Sequence, residues 1–186
     1  MATDVARVAF ISGHTDLSQI DFDRIYEPLI CEAIASGHTF ILGDALGVDT
    51  IALTYLLSWK DDLRQRVTVY ASRKYNIPKL TALGVKVIGP DDSCLAPTPE
   101  IETLIGIENE GRNKARFRHL IRDTHMTLNS NYDILYVRSE EGSRELYGEK
   151  YKPRVSATEH NRLRRVKVGS GRPVAQNHPQ GGSEHS

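Results

Sequence analysis

Apolar residues along the chain fall into short runs that alternate with longer stretches of helical period. Val5-Ala6-Arg7-Val8-Ala9-Phe10-Ile11 is brief, branched and apolar and stops at Ser12-Gly13, the pattern of a strand buried on both faces. From Asp21, apolar Ile25, Leu29, Ile30, Ala33 and Ile34 recur at intervals of three and four, which predicts one helix ended by Gly37. Thr39 to Leu42 reads as a second strand. Asp49 to Trp59 reads as a second helix, with Ile51, Ala52, Tyr55, Leu56 and Trp59 on one stripe. Arg66 to Tyr70 and Val85 to Ile88 supply a third and a fourth strand, with a short helix or turn over Ile77 to Gly84 between them. A loop from Pro90 to Pro99 and one or two helical turns over Glu100 to Ile107 follow. Asn113 to Leu128 is a longer helix with Phe117, Leu120, Ile121, Thr124 and Leu128 inward, and Asp133 to Val137 is a fifth strand that empties into a loop over Arg138 to Ser143.

Strands alternating with helices predict an α/β fold: a Rossmann-like parallel sheet of about five strands with helices on both faces, joined by right-handed connections. The 186 residues have room for one such domain and a tail, not for two catalytic domains. The boundary is expected at 151. Residues 1 to 151 hold 17 Lys/Arg against 22 Asp/Glu, whereas residues 152 to 186 hold seven against two, so a formal charge of zero hides a mildly acidic domain and a basic tail. The tail passes Arg162, Arg164, Arg165 and Lys167 and runs out through Gly169-Ser170-Gly171-Arg172-Pro173 and Gly181-Gly182-Ser183, a composition read as partly disordered and unable to bury a core. It lacks the aromatic platforms or recognisable module of a nucleic-acid footprint, so it reads as a solvated tail or a partner-binding arm.

Cys31 and Cys94 stand in separate segments with no metal-ligand spacing, so neither a disulfide framework nor a metal site is expected. Apolar runs are too short to span a bilayer and the first residues do not read as an export signal. A cytoplasmic protein with no membrane partner and no cofactor is expected.

Candidate chemistry gathers where strands empty into helices. Consecutive parallel strands send their following loops to one edge of the sheet, where glycine corners and helix N-termini suit anionic ligands. Ser12-Gly13-His14 follows the first strand and Gly43-Asp44-Ala45-Leu46-Gly47-Val48-Asp49 the second, while Ser72-Arg73-Lys74 and Gly142-Ser143 belong to later corners. These glycines either turn the chain or bring backbone N–H groups to a phosphate. His14 is placed to bind a phosphate or move a proton, or simply to fill a turn. Asp49 reads first as the cap of the second helix, and Asp44 as an acceptor for a ribose or base, as a catalytic group that orients a water, or as a structural group. Arg112-Asn113 opens the long helix and is a candidate anion grip, whereas Arg118 and Arg122, four apart, read as a solvated flank. Glu141 and Glu145, beside Gly142-Ser143, are the carboxylates placed for glycosidic bond cleavage; as first-turn charges they equally serve the helix. Neither GxGxxG nor GxxxxGK[ST] occurs, which sets aside dinucleotide dehydrogenases and P-loop ATPases.

With those residues in view, the chain resembles the SLOG superfamily, the Rossmann-like group that includes cytokinin-activating phosphoribohydrolases and DprA-like domains. Ile11 to His14, Gly43 to Asp49, and Asp133 to Val137 followed by Gly142-Ser143 carry the likeness, over residues 5 to about 150. The resemblance implies a nucleotide-like ligand across the strand ends and pairing into a homo-oligomer. Gly13, Gly43, Gly47 and Asp49 then correspond to the first two corners and Gly142-Ser143 to the phosphate-side corner. The phosphoribohydrolase branch carries PGGxGTxxE where this chain reads Arg138-Ser139-Glu140-Glu141-Gly142-Ser143-Arg144-Glu145. Two functions are therefore expected. One is binding of a nucleotide or nucleoside monophosphate with hydrolysis of its N-glycosidic bond: Arg112 and Gly142-Ser143 on phosphate, Asp44 on ribose, Glu141 or Glu145 at the leaving base or attacking water. The other is a non-catalytic sensor of a signalling nucleotide.

Overall fold

The computed structural model describes residues 6–105, 114–153 and 155–169. Strands β1 (Val8–Ser12), β2 (Thr39–Leu42), β3 (Val67–Tyr70), β4 (Lys86–Ile88) and β5 (Tyr132–Leu135) form a sheet ordered β4-β3-β2-β1-β5, and every neighbouring pair is parallel. Between and beyond them lie α1 (Gln19–Ile25), α2 (Glu27–Ala35), α3 (Val48–Leu57), α4 (Ile77–Ala82), α5 (Pro99–Ile105), α6 (Lys114–Leu128), α7 (Glu140–Tyr147) and α8 (Ala157–Val168).

The chain steps outward from β1 to β4, then crosses back to lay β5 on the other side of β1. Right-handed crossovers send the outward helices to one face and the return helices to the other, and the two cores follow that division. Ala9, Ile11, Phe40, Leu42, Val67 and Val69 meet Phe22, Ile30, Val48, Ala52 and Leu80 of α1 to α4. Their strand neighbours Phe10, Ile41, Tyr70 and Ile88 point the other way, onto Met126 of α6 and onto Leu95, which precedes α5. Helices thus cover both faces of the parallel sheet, the α/β Rossmann-like architecture expected.

Three local features depart from the sequence reading. The helix expected from Asp21 to Ile34 is two, because Pro28 enters the first turn of α2; proline supplies no N–H and its ring crowds the carbonyl four residues back. Tyr26, at the break, is fully buried. Gly142 and Ser143, placed in a loop by their composition, lie in the first turn of α7, whose cap Ser139 accepts a hydrogen bond from the Gly142 N–H at 3.0 Å. The stretch from 152, read as unable to bury a core, contributes α8, in which Thr158, Asn161, Arg164 and Arg165 are buried against α6 and β5. Arginine enters a core when its fork is matched, and Arg165 donates to Asp133 Oδ1 at 2.7 Å and to the Ser130 carbonyl at 2.7 Å. Among the described residues no helix is long and apolar enough to cross a membrane.

Candidate functional site

Strand order decides which corners meet. With β1 between β2 and β5, the Gly13 corner faces the segment after β5, while the Gly43 corner faces the one after β3. The carboxyl edge therefore holds two neighbourhoods.

At the first, the crevice between β1 and β5 is bridged by protein groups. Tyr26 Oη donates to the Ser12 carbonyl and accepts from the Tyr136 N–H, both at 3.0 Å. Gly13 packs so closely on Tyr26 and Val48 that an added methyl would overlap both. His14 Nε2 accepts from the Arg138 N–H at 3.1 Å, which fixes the other ring nitrogen as the protonated one; burial and then the Arg138 charge hold the imidazole below its ordinary pKa. Arg138 in turn pairs with Asp16 at 3.0 Å, and Tyr147 donates to the same carboxylate. Burial opposes the Asp16 charge, but the Arg138 and Tyr147 hydrogen bonds outweigh it and keep the carboxyl below the usual range. The Ser12 hydroxyl is buried without a hydrogen-bond partner among the described residues.

At the second, between β2, β3 and α6, carboxylates surround a guanidinium. Asp44 accepts from the Ser72 N–H at 2.9 Å and from Asn76 Nδ2 at 2.7 Å, and lies 3.3 Å from Arg122 Nη1. Arg122 also donates to Asp123 at 3.0 Å. Asp49 sits in the first turn of α3, whose cap is Gly47 without a side-chain hydrogen bond; the expected capping contact is absent and the carboxylate reaches back to the Ala45 N–H at 3.2 Å. Gly43 makes room for it, since a Cβ there would stand 2.5 Å from Asp49 Oδ2. Asp49 keeps some residue surface, yet its carboxylate is closely enclosed by protein. Burial pushes its pKa up to about 7; the Ala45 N–H and Arg122 pull it down, and Asp123 and Asp44 add to the rise.

That shift has a stability consequence. Between about pH 4 and 7 folded Asp49 holds a proton that the unfolded chain has released, so stability must fall as pH rises through this window, with a slope of up to about 1.4 kcal/mol per pH unit. Asp49→Asn, which keeps the acceptor for Ala45 and removes the titration, is expected to gain on the wild type steadily from pH 5 to 7 in urea unfolding and to run parallel above pH 8. Equal pH profiles for the two proteins would exclude this role.

Beside the Asp44–Arg122 pair opens a cleft of about 280 Å³. Its lining is partly apolar, from Ala71, Pro90, Leu95 and Ile121, and partly polar, from Ser72, His119 and the cations Arg73, Arg118 and Arg122. Arg122 is matched by carboxylates, whereas Arg73 donates to the neutral Tyr75 hydroxyl at 2.7 Å. Burial, then Arg122, hold His119 below its ordinary pKa, with Asp123 and Asp44 opposing and Arg73 adding to the effect. A larger hollow of about 510 Å³ lies along the face of the sheet toward α6, lined among others by Thr39, Ile41, Tyr70, Lys86, Ile88 and His125. The smaller cleft is the functional candidate, because it sits where strands end and where cations converge.

The sequence candidates distribute unevenly around it. Asp44, Asp49 and Gly43 gather beside Arg122, at the edge of the cleft. Gly47 joins the two neighbourhoods by packing on the His14 carbonyl and the Thr15 backbone. Ser12, Gly13 and His14 belong to the β1–β5 seam. Glu141 and Glu145 are exposed on α7, after β5 and so beyond β1 and β2 from the cleft; Gly142 and Ser143 share that helix, their N–H groups bonded to Ser139. Arg112 and Asn113 lie outside the described residues. Arg118 and Arg122, read as a solvated flank, line the cleft, and Arg122 is largely enclosed. The signal lay in the helix period, which sets residues 118 and 122 beside inward-facing Ile121. Among the described residues no group of three or more His, Cys, Asp or Glu suits a metal ion.

Fold and edge together define a Rossmann-like α/β protein whose architecture is compatible with nucleotide binding in general. Comparisons with protein-family models, with curated proteins and with solved structures give no match.

Proposed function

We propose that the protein binds a nucleotide or nucleoside monophosphate at the carboxyl ends of its strands and acts as a sensor of it. The observation that carries this reading is the lining of the cleft: three guanidinium groups and an imidazole together with apolar Ala71, Pro90, Leu95 and Ile121. Guanidinium forks match phosphate oxygens, and apolar lining suits a base or the carbon face of a sugar. The resemblance to the SLOG superfamily supports the same ligand class. Recognition is favoured over glycosidic hydrolysis because cleavage needs a carboxylate near the anomeric carbon. Glu141 and Glu145 stand away from the cleft, and Asp44 is already engaged by Ser72, Asn76 and Arg122.

Calorimetry against a panel of nucleoside monophosphates, with released base followed in parallel, tests both halves. Saturable binding with the ligand intact is expected. Arg73→Ala and Arg118→Ala, both at exposed positions, should each weaken it by about tenfold. Base release would restore the hydrolase. Binding that both variants leave unchanged would move the site elsewhere.

A further inference from the structure

Charge accounting inside the cleft points to what His119 does there, on the reading that the cleft takes a phosphorylated ligand. Arg122 is balanced by Asp44 at 3.3 Å and Asp123 at 3.0 Å. Arg73 and Arg118 have no carboxylate partner among the described residues, so within those residues the cleft offers two unmatched positive charges. His119 lines the same cleft and stands on the same helix as Arg118 and Arg122.

We propose that His119 is the specificity-determining residue through which the cleft selects a terminal, doubly charged phosphate: it meets the ligand as a neutral imidazole and takes one proton from solvent as the phosphate settles. In the empty cleft, burial and the charges of Arg122 and Arg73 oppose an imidazolium, while Asp123 and Asp44 favour it. Phosphate oxygens placed against Arg73 and Arg118 cancel that repulsion and offer the protonated ring an acceptor, so the ring becomes easier to protonate when ligand is bound. Linkage makes the effect reciprocal: a ligand that raises the ring's proton affinity binds more tightly as pH falls. A cyclic or diester phosphate carries one negative charge, cancels less of the arginines' repulsion on the ring, and so draws the proton less strongly.

The probes are adenosine 5′-monophosphate and adenosine 3′,5′-cyclic monophosphate, titrated at pH 7.5 in two buffers of unlike ionisation enthalpy, so that the heat difference counts protons. The monoester is expected to bind with uptake of about half to one proton and at least about fivefold more tightly than the cyclic ester. His119→Asn should abolish the uptake and weaken the monoester by about tenfold. His119→Lys, permanently charged, should keep the affinity without the uptake. Monoester binding without proton uptake, or uptake that survives in His119→Asn, overturns the inference and leaves the nucleotide site standing. Equal affinity for the two esters overturns it as well. If neither nucleotide nor inorganic phosphate binds, the proposed function itself fails, and this inference with it.

Discussion

Arg165→Met is expected to destabilise the protein by about 3–5 kcal/mol, the range for breaking a buried ion pair from one side. Arg165 and Asp133 are 5 % and 8 % exposed, and the guanidinium reaches Asp133 Oδ1 through both Nε at 3.0 Å and Nη2 at 2.7 Å while holding the Ser130 carbonyl. Methionine fills much of the volume, so the loss isolates the stranded carboxylate rather than a cavity. Burial already raises the Asp133 pKa against the pull of Arg165; without the arginine it rises further. Folded Asp133 then keeps its proton to a higher pH than the unfolded chain, so the penalty must grow as pH rises and shrink toward pH 5. Urea unfolding at pH 5 and 8 measures both effects, and Asp133→Asn in the Arg165→Met background should recover part of the loss. A loss below about 1 kcal/mol, independent of pH, would mean that the pair is open to water.

Gly47→Ala is the second large effect, at about 3 kcal/mol or more. Gly47 has φ 73° and ψ −128°, a region that side-chain-bearing residues avoid. An added Cβ would stand 2.4 Å from the His14 carbonyl oxygen and 2.6 Å from Thr15 Cα, both backbone atoms with little freedom to yield. Gly37→Ala supplies the comparison, because Gly37 shares a positive φ of 75° yet has open space where its Cβ would go. That variant should lose only about 1 kcal/mol. Thermal unfolding of the two separates the backbone contribution from the close approach, and similar melting temperatures would show that the β1 and β2 corners are not in contact as described.

Much of this architecture was legible from periodicity. The second strand runs from Thr39 to Leu42 as expected, and the other strands lie within a few residues of their predicted places, because branched apolar runs bounded by turn residues admit few alternatives. Pro28 was the signal for the break at Tyr26, overridden by an apolar repeat that continues across it. Helix α8 was hidden for a different reason. Composition treats arginine as solvated, and nothing local reveals that Arg165 meets a carboxylate 32 positions away. The candidate site was half legible: glycine corners at strand ends could be picked out, but the order β4-β3-β2-β1-β5 decides which corners share a pocket. That order separates the β5 corner, with Glu141 and Glu145, from the arginines over β3.

Helix α6 carries these separate features on a single rod. Its 15 residues measure about 22 Å, with Arg118 in the second turn, Arg122 near the middle and, just past the carboxyl end, the Ser130 carbonyl that seats Arg165. Helix α8 packs against the same rod. The arginine-lined cleft over β3 and the buried arginine seat beside β5 therefore share one helix as their common support.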